Sequence, residues 1–129
     1  MKAEIPALIQ RAENSLRAAS HLLDESMYTV AVSQSYYAMF YVASAALLTR
    51  GLRFKRHASL VRSFASQFVK TGLLPSHLQT KLAAAFVERI RSDYRVLEDV
   101  TREEALQQLR QAEEFVSAVK TFLEKESQI

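Results

Sequence analysis

The segment from Met27 to about Arg50 constrains the fold more than any other part of the chain. On a helical wheel its apolar residues, among them Val30, Val32, Tyr36, Tyr37, Met39, Phe40, Val42 and Leu47, fall on most sides. A helix apolar nearly all round has to be covered, by neighbouring helices or by a partner subunit. The flanking segments read as such neighbours. From about Ile5 to Asp24, Ile5, Leu8, Ile9, Ala12, Leu16, Ala19, Leu22 and Leu23 recur at i, i+3, i+4, i+7 spacing. Pro6 fits the first turn of that helix, where its missing N–H costs nothing. Ser26 is expected to cap the second helix at its N-terminus, and Gly51 to close it in the left-handed conformation.

A third helix is expected over about His57 to Lys70, with His57, Leu60, Val61, Phe64 and Phe68 on one face, stopped by Gly72. A fourth opens at Pro75 and ends near Tyr94. After a short break, Arg95 to Val100, the sequence Thr101-Arg102-Glu103-Glu104 forms a capping box. It starts a last helix with Ala105, Leu109, Ala112, Val116, Val119, Phe122 and Leu123 inside. With two Gly and two Pro in 129 residues there is little material for tight turns. The expectation is therefore an all-α fold: one domain over residues 1–129, an antiparallel up-and-down bundle of four to five helices joined by short connections.

Without Cys the chain has no disulfide and no thiolate metal site. Its first residues carry acids and polar groups through the apolar positions, unlike a signal peptide, and no apolar run approaches the ~20 residues of a membrane span. The expected location is the cytoplasm, with no membrane contact. Charge is segregated. From Ser26 to Val87 there is no Asp or Glu, but there are seven Lys and Arg; the flanks hold all fourteen acids against ten Lys and Arg. That pattern builds a positive face unless the fold interleaves the two sets.

Candidate site residues follow from places where polarity and pattern conflict. In the fourth helix Leu78, Leu82, Ala85 and Phe86 make one apolar stripe, and Arg89 and Asp93 fall in its middle. Spaced i, i+4, they can pair. A buried structural pair is rarely a net gain in stability, so a cleft facing a ligand or partner is the preferred reading. Tyr94, next along, can offer its phenol to a phosphate or carboxylate. Tyr36, Tyr37, Phe40 and Tyr41 form two i, i+4 aromatic pairs, a core pattern; but adjacent Tyr side chains point about 100° apart, so one can pack inside while Tyr37 reaches a cleft or dimer seam. The basic connector Arg50, Arg53, Lys55 and Arg56, with His57 behind it, is either a phosphate grip or a solvated loop. His21, His57 and His77 are scattered without ligand spacing, so neither a metal nor a cofactor is expected.

The string Ser33-Gln34-Ser35-Tyr36-Tyr37-Ala38-Met39-Phe40 resembles the YYAMF signature of stand-alone prokaryotic HEPN-domain proteins. The resemblance continues through Lys55-Arg56-His57, Phe64 and Phe68-Val69-Lys70-Thr71-Gly72-Leu73, and closes with Arg89…Asp93-Tyr94, similar to that subgroup's R-x-x-x-D-Y ending. It implies a bundle of four to five helices, a dimer with its cleft near the late-helix Arg, and, in active members, a metal-independent RNase in which a His follows that Arg. It also implies partnership, in some members, with a small nucleotidyltransferase, or nucleotide binding. Here Asp93 and Tyr94 follow Arg89 and no His lies downstream, which argues against cleavage. The expected function is a homodimeric module that binds RNA, a nucleotide or a companion nucleotidyltransferase, as one half of a toxin–antitoxin-type pair. The alternatives are an RNase toxin using Arg89 with Tyr94 or His57, and a scaffold without catalysis.

Overall fold

The computed structural model describes residues 3–95 and 99–126. The helices are α1 (Glu4–Asp24), α2 (Tyr28–Leu48), α3 (His57–Phe64), α4 (Ser76–Tyr94) and α5 (Arg102–Lys125), with a π-helical turn (Ala65–Val69) prolonging α3. The expected break between α4 and α5 is described only at its ends, because residues 96–98 lie outside the described set.

α2 is the axis of the bundle and touches α1, α3, α4 and α5. Neighbours within the chain therefore cover most of its apolar surface. Val32, Tyr36, Met39, Val42 and Leu47 are buried, and the buried alanines at 38, 43, 45 and 46 leave room for close packing. Polar contacts fix the helix directions. Arg50, past the end of α2, bonds Glu126, past the end of α5, so α2 and α5 run parallel. Arg89 and Asp93 of α4 meet Tyr37 and Ser33 of α2 in reverse order, so α2 and α4 are antiparallel. The Lys81–Glu114 and Arg95–Glu104 ion pairs set α4 against α5 in the same antiparallel sense. The long helices thus alternate in direction along the chain, as expected of an up-and-down bundle.

Helix ends are specified one by one. The capping box is formed: Thr101 Oγ1 accepts from Glu104 N–H, and the Glu104 carboxylate accepts from Thr101 N–H, each at 3.1 Å. Gly51 sits at φ 73°, and Leu52 N–H reaches back to Leu47 C=O at 3.1 Å. The expected cap at Ser26 is not made. Ser26 instead closes α1: at φ 62° it bonds Leu23 C=O, while Met27 N–H bonds Leu22 C=O, the two bonds of a Schellman motif. A residue committed to the left-handed exit of one helix cannot also adopt the extended geometry that caps the next, and α2 starts behind Met27 with no side-chain cap.

The π turn carries Phe68 into the core, where its ring lies 5.5 Å from Phe64 and 5.6 Å from Phe122. The Arg50 guanidinium lies 4.8 Å from the Phe68 ring centre and makes a two-pronged contact with Glu126 at 2.7 and 3.1 Å. This contact ties the ends of α2 and α5 to the π turn. Among the described residues few large apolar side chains are exposed, Leu73 after the π turn being one. Val87, Ile90 and Tyr94 follow one another along α4, and Met27 and Val30 stand at the start of α2.

Candidate functional site

The tyrosine pair of α2 divides as adjacent helical residues must. Tyr36 is 1% exposed and Tyr37 is partly open. The chain leaves α2 through the Gly51 turn and reaches α3 through Arg56 in extended conformation (φ −90°, ψ 130°). That path sets His57, the first residue of α3, onto α2. Its ring stacks on Phe40 at 4.4 Å and lies 5.5 Å from Tyr36, with Phe86 of α4 at 6.1 Å. Tyr36 Oη and His57 Nδ1 are 2.7 Å apart.

α4 closes the third side. Arg89 donates from Nη2 to Tyr37 Oη at 3.2 Å, and its guanidinium lies 5.4 Å from the centre of the Tyr37 ring. Its Nε is 3.2 Å from Asp93 Oδ2, an ion pair not aligned as a hydrogen bond. Ser33 Oγ reaches Asp93 Oδ1 at 3.5 Å, the outer edge of bonding range. The Arg89 and Asp93 side chains are 26% and 40% exposed. The apolar stripe of α4 therefore runs out of the core at this point, and the pair stands in a half-open seam. Burial, and then the positive charge of Arg89, hold the His57 imidazole below its usual pKa. Burial pushes the Tyr36 phenol well above its own.

Four of the residues singled out in the sequence, Arg89, Asp93, Tyr37 and His57, thus meet at one seam. Tyr94 does not join them: it is 81% exposed and makes no ring contact or hydrogen bond with a described residue. The basic connector is split by its partners. Arg50 is held by Glu126, and Arg53 by Glu4 through two 2.6 Å bonds. Together with Lys81–Glu114, these pairs interleave much of the segregated charge. Lys55, Arg56, Arg62 and Lys70 have no ion pair among the described residues, so the unneutralised charge of that segment gathers on the connector, α3 and the π turn. Tyr36 was legible only as core. The signal that it does more was its hydroxyl, since a buried phenol needs a partner.

Two other features do not compete with the seam. A cavity of about 200 Å³ between α1, α2 and the connector is lined mainly by leucines and Phe54, and its charged residues, Glu4 and Arg53, neutralise each other. Among the described residues no three His, Asp or Glu gather closely enough to hold a metal ion. No helix of the described residues is long and apolar enough to cross a membrane.

An up-and-down bundle whose central helix presents a tyrosine to a late-helix arginine, with a histidine from the intervening helix, is a compact helical module with one cationic seam. Such a chain belongs to the HEPN-domain family: residues 5–122 match the HEPN domain. Over 95% of its length the chain is 35% identical to "Putative toxin MJ0142" of Methanocaldococcus jannaschii, covering 83% of that protein. A second protein of that organism, "Putative toxin MJ0605", is 35% identical over 97% of the chain and 92% of its own length. The "UPF0332 protein glr0978" of Gloeobacter violaceus is 43% identical over 73% of the chain and 75% of its own length.

Proposed function

We propose that this protein is a homodimeric, toxin-like HEPN module that binds RNA by placing a backbone phosphate at Arg89. The observation that carries the reading is the state of Arg89. Asp93 and Tyr37 hold it in one orientation, yet its Nη1 is neither bonded to a described residue nor buried. A preoriented guanidinium with a free edge suits a phosphate, which it can meet with charge-assisted bonds. Lys55, Arg56, Arg62 and Lys70, on the connector, α3 and just past the π turn, add positive charge for neighbouring phosphates. Two relatives carry the word toxin in their names, which supports the role. Binding is favoured over cleavage because Asp93 and Tyr94 follow Arg89, and no His lies downstream where the resemblance puts an acid–base His.

The second copy is assigned to the α4 face. Val87, Ile90 and Tyr94 are exposed on the helix that carries Arg89. A dimer there would cover them, with at least ~800 Å² buried per partner. A chain that stays monomeric would leave this face for a different protein, such as a companion nucleotidyltransferase.

The test is fluorescence anisotropy with a labelled single-stranded RNA at two salt concentrations, with light scattering on the same samples. The expected result is a dimer whose RNA affinity falls with salt and falls further with Arg89→Ala. RNA bound equally well by Arg89→Ala would overturn the reading of the site. A 14.6 kDa species at micromolar concentration would overturn the dimer.

A further inference from the structure

The Tyr36–His57 contact has a direction. Tyr36 is 1% exposed, and its hydroxyl has no hydrogen-bond partner among the described residues besides His57 Nδ1. If Nδ1 carried the proton, it would donate to Tyr36 and leave the buried phenol hydrogen with no acceptor, a costly state. The phenol therefore donates and Nδ1 accepts. In a neutral imidazole the proton then sits on Nε2. That nitrogen has no partner among the described residues and is not among the buried polar atoms, so it meets solvent. The ring cannot readily turn over, because Phe40 stacks on it at 4.4 Å and Phe86 and Tyr37 flank it at 6.1 and 5.9 Å.

The same seam holds two more donors. Arg89 keeps Nη1 free. Tyr37 accepts from Arg89 through its oxygen, so its own O–H is free to donate. The Tyr37 ring neighbours both others, with the Arg89 guanidinium over its face at 5.4 Å and the His57 ring perpendicular to it at 5.9 Å. Asp93, the carboxylate of the seam, is turned to Nε of Arg89 and to Ser33. A set of N–H and O–H donors around one ring, with the acceptor drawn to the side, is complementary to a tetrahedral oxyanion.

We infer that this seam is a phosphate receptor with three donors, Arg89 Nη1, Tyr37 O–H and His57 Nε2–H, and that Tyr36 is the positioning residue that makes His57 a donor. This rests on the proposal that Arg89 meets an RNA phosphate and assigns the residues that share the load. His57 then binds rather than takes a proton, because its basic nitrogen is occupied by Tyr36.

The experiment combines imidazole ¹⁵N NMR with binding of inorganic phosphate and of a 2′-O-methyl oligoribonucleotide, which cannot be cleaved through its 2′ oxygen. At neutral pH, His57 Nε2 should be protonated and Nδ1 bare, and Nε2 should shift when phosphate is added. His57→Phe keeps the stack and removes the donor, and should weaken binding roughly tenfold. His57→Gln returns an N–H donor and should recover part of that loss. Tyr36→Phe should mix the two tautomers and weaken binding in the same sense. A proton found on Nδ1 of the parent overturns the inference. So does oligonucleotide binding that depends on Arg89 but is unchanged by His57→Phe, and that result leaves the RNA reading standing. A parent protein that binds neither probe overturns both. If Tyr36→Phe does not fold, the parent's tautomer and the two His57 variants still decide.

Discussion

Replacing Arg89 by alanine separates a packing role from a binding role. The structure supplies the magnitude. The Arg89–Asp93 pair is 26% and 40% exposed, and an ion pair so open to water contributes about 0.5 kcal/mol. The bond to Tyr37 at 3.2 Å adds about 1 kcal/mol. The guanidinium over the Tyr37 ring at 5.4 Å adds about 0.5 kcal/mol. The expected loss is ~2 kcal/mol, against 3–5 for breaking a buried pair. For a domain of 129 residues this lowers Tm by roughly 6–10 °C. Urea unfolding followed by circular dichroism measures it, and the slope should not change because no new surface is exposed. Phosphate at one hundred times its dissociation constant should then stabilise the parent by about 2.7 kcal/mol and leave the variant unmoved. A loss above ~4 kcal/mol, restored by Leu at both 89 and 93 and accompanied by no phosphate effect on the parent, would show that the pair serves packing alone.

Acid should destabilise the protein through His57. Its folded pKa is held below the usual value, so as pH falls below about 6.5 the unfolded chain takes up the proton first. Stability should be intact above that pH and decline beneath it, with the decline reduced in His57→Phe, measured by urea midpoints across pH. Ser26→Gly should raise stability by roughly 0.5 kcal/mol, since glycine relieves the left-handed strain while giving back part in chain entropy; thermal melts check it. Thr101→Ala breaks the capping box and should cost about 1 kcal/mol, read from the same melts.

The helices were legible because periodicity and punctuation agreed. Gly51, Gly72 and Thr101 mark ends where they stand, and the stripes of α1 and α5 face the core as their spacing requires. Ser26 misled because a serine suits both an N-cap and, less often, a left-handed exit. Only the bonds of Met27 and Ser26 back to Leu22 and Leu23 decide between them. Arg89 and Asp93 could be placed on the inner stripe but not at its open end, since exposure depends on how far α2 runs beside α4. The basic connector looked uniform in sequence. It is divided by Glu4 and Glu126, carboxylates 49 and 76 residues away from the arginines they hold, and no local pattern announces pairings at that distance. The meeting of His57 with Tyr36 was likewise hidden, because it depends on the path of the connector.

α2 packs against α1, α3, α4 and α5, and its inward residues Met39, Val42 and Ala43 are fully buried. The amides of these inward residues should exchange chiefly through unfolding of the whole domain. Exchange at Met39, Val42 and Ala43 is thus a gauge of global stability readable in native buffer without denaturant. Amides of α4 near Val87 and Ile90, on the open face, can exchange through smaller excursions. The gap between the two sets measures how far the Arg89 seam can open while the rest of the protein stays folded.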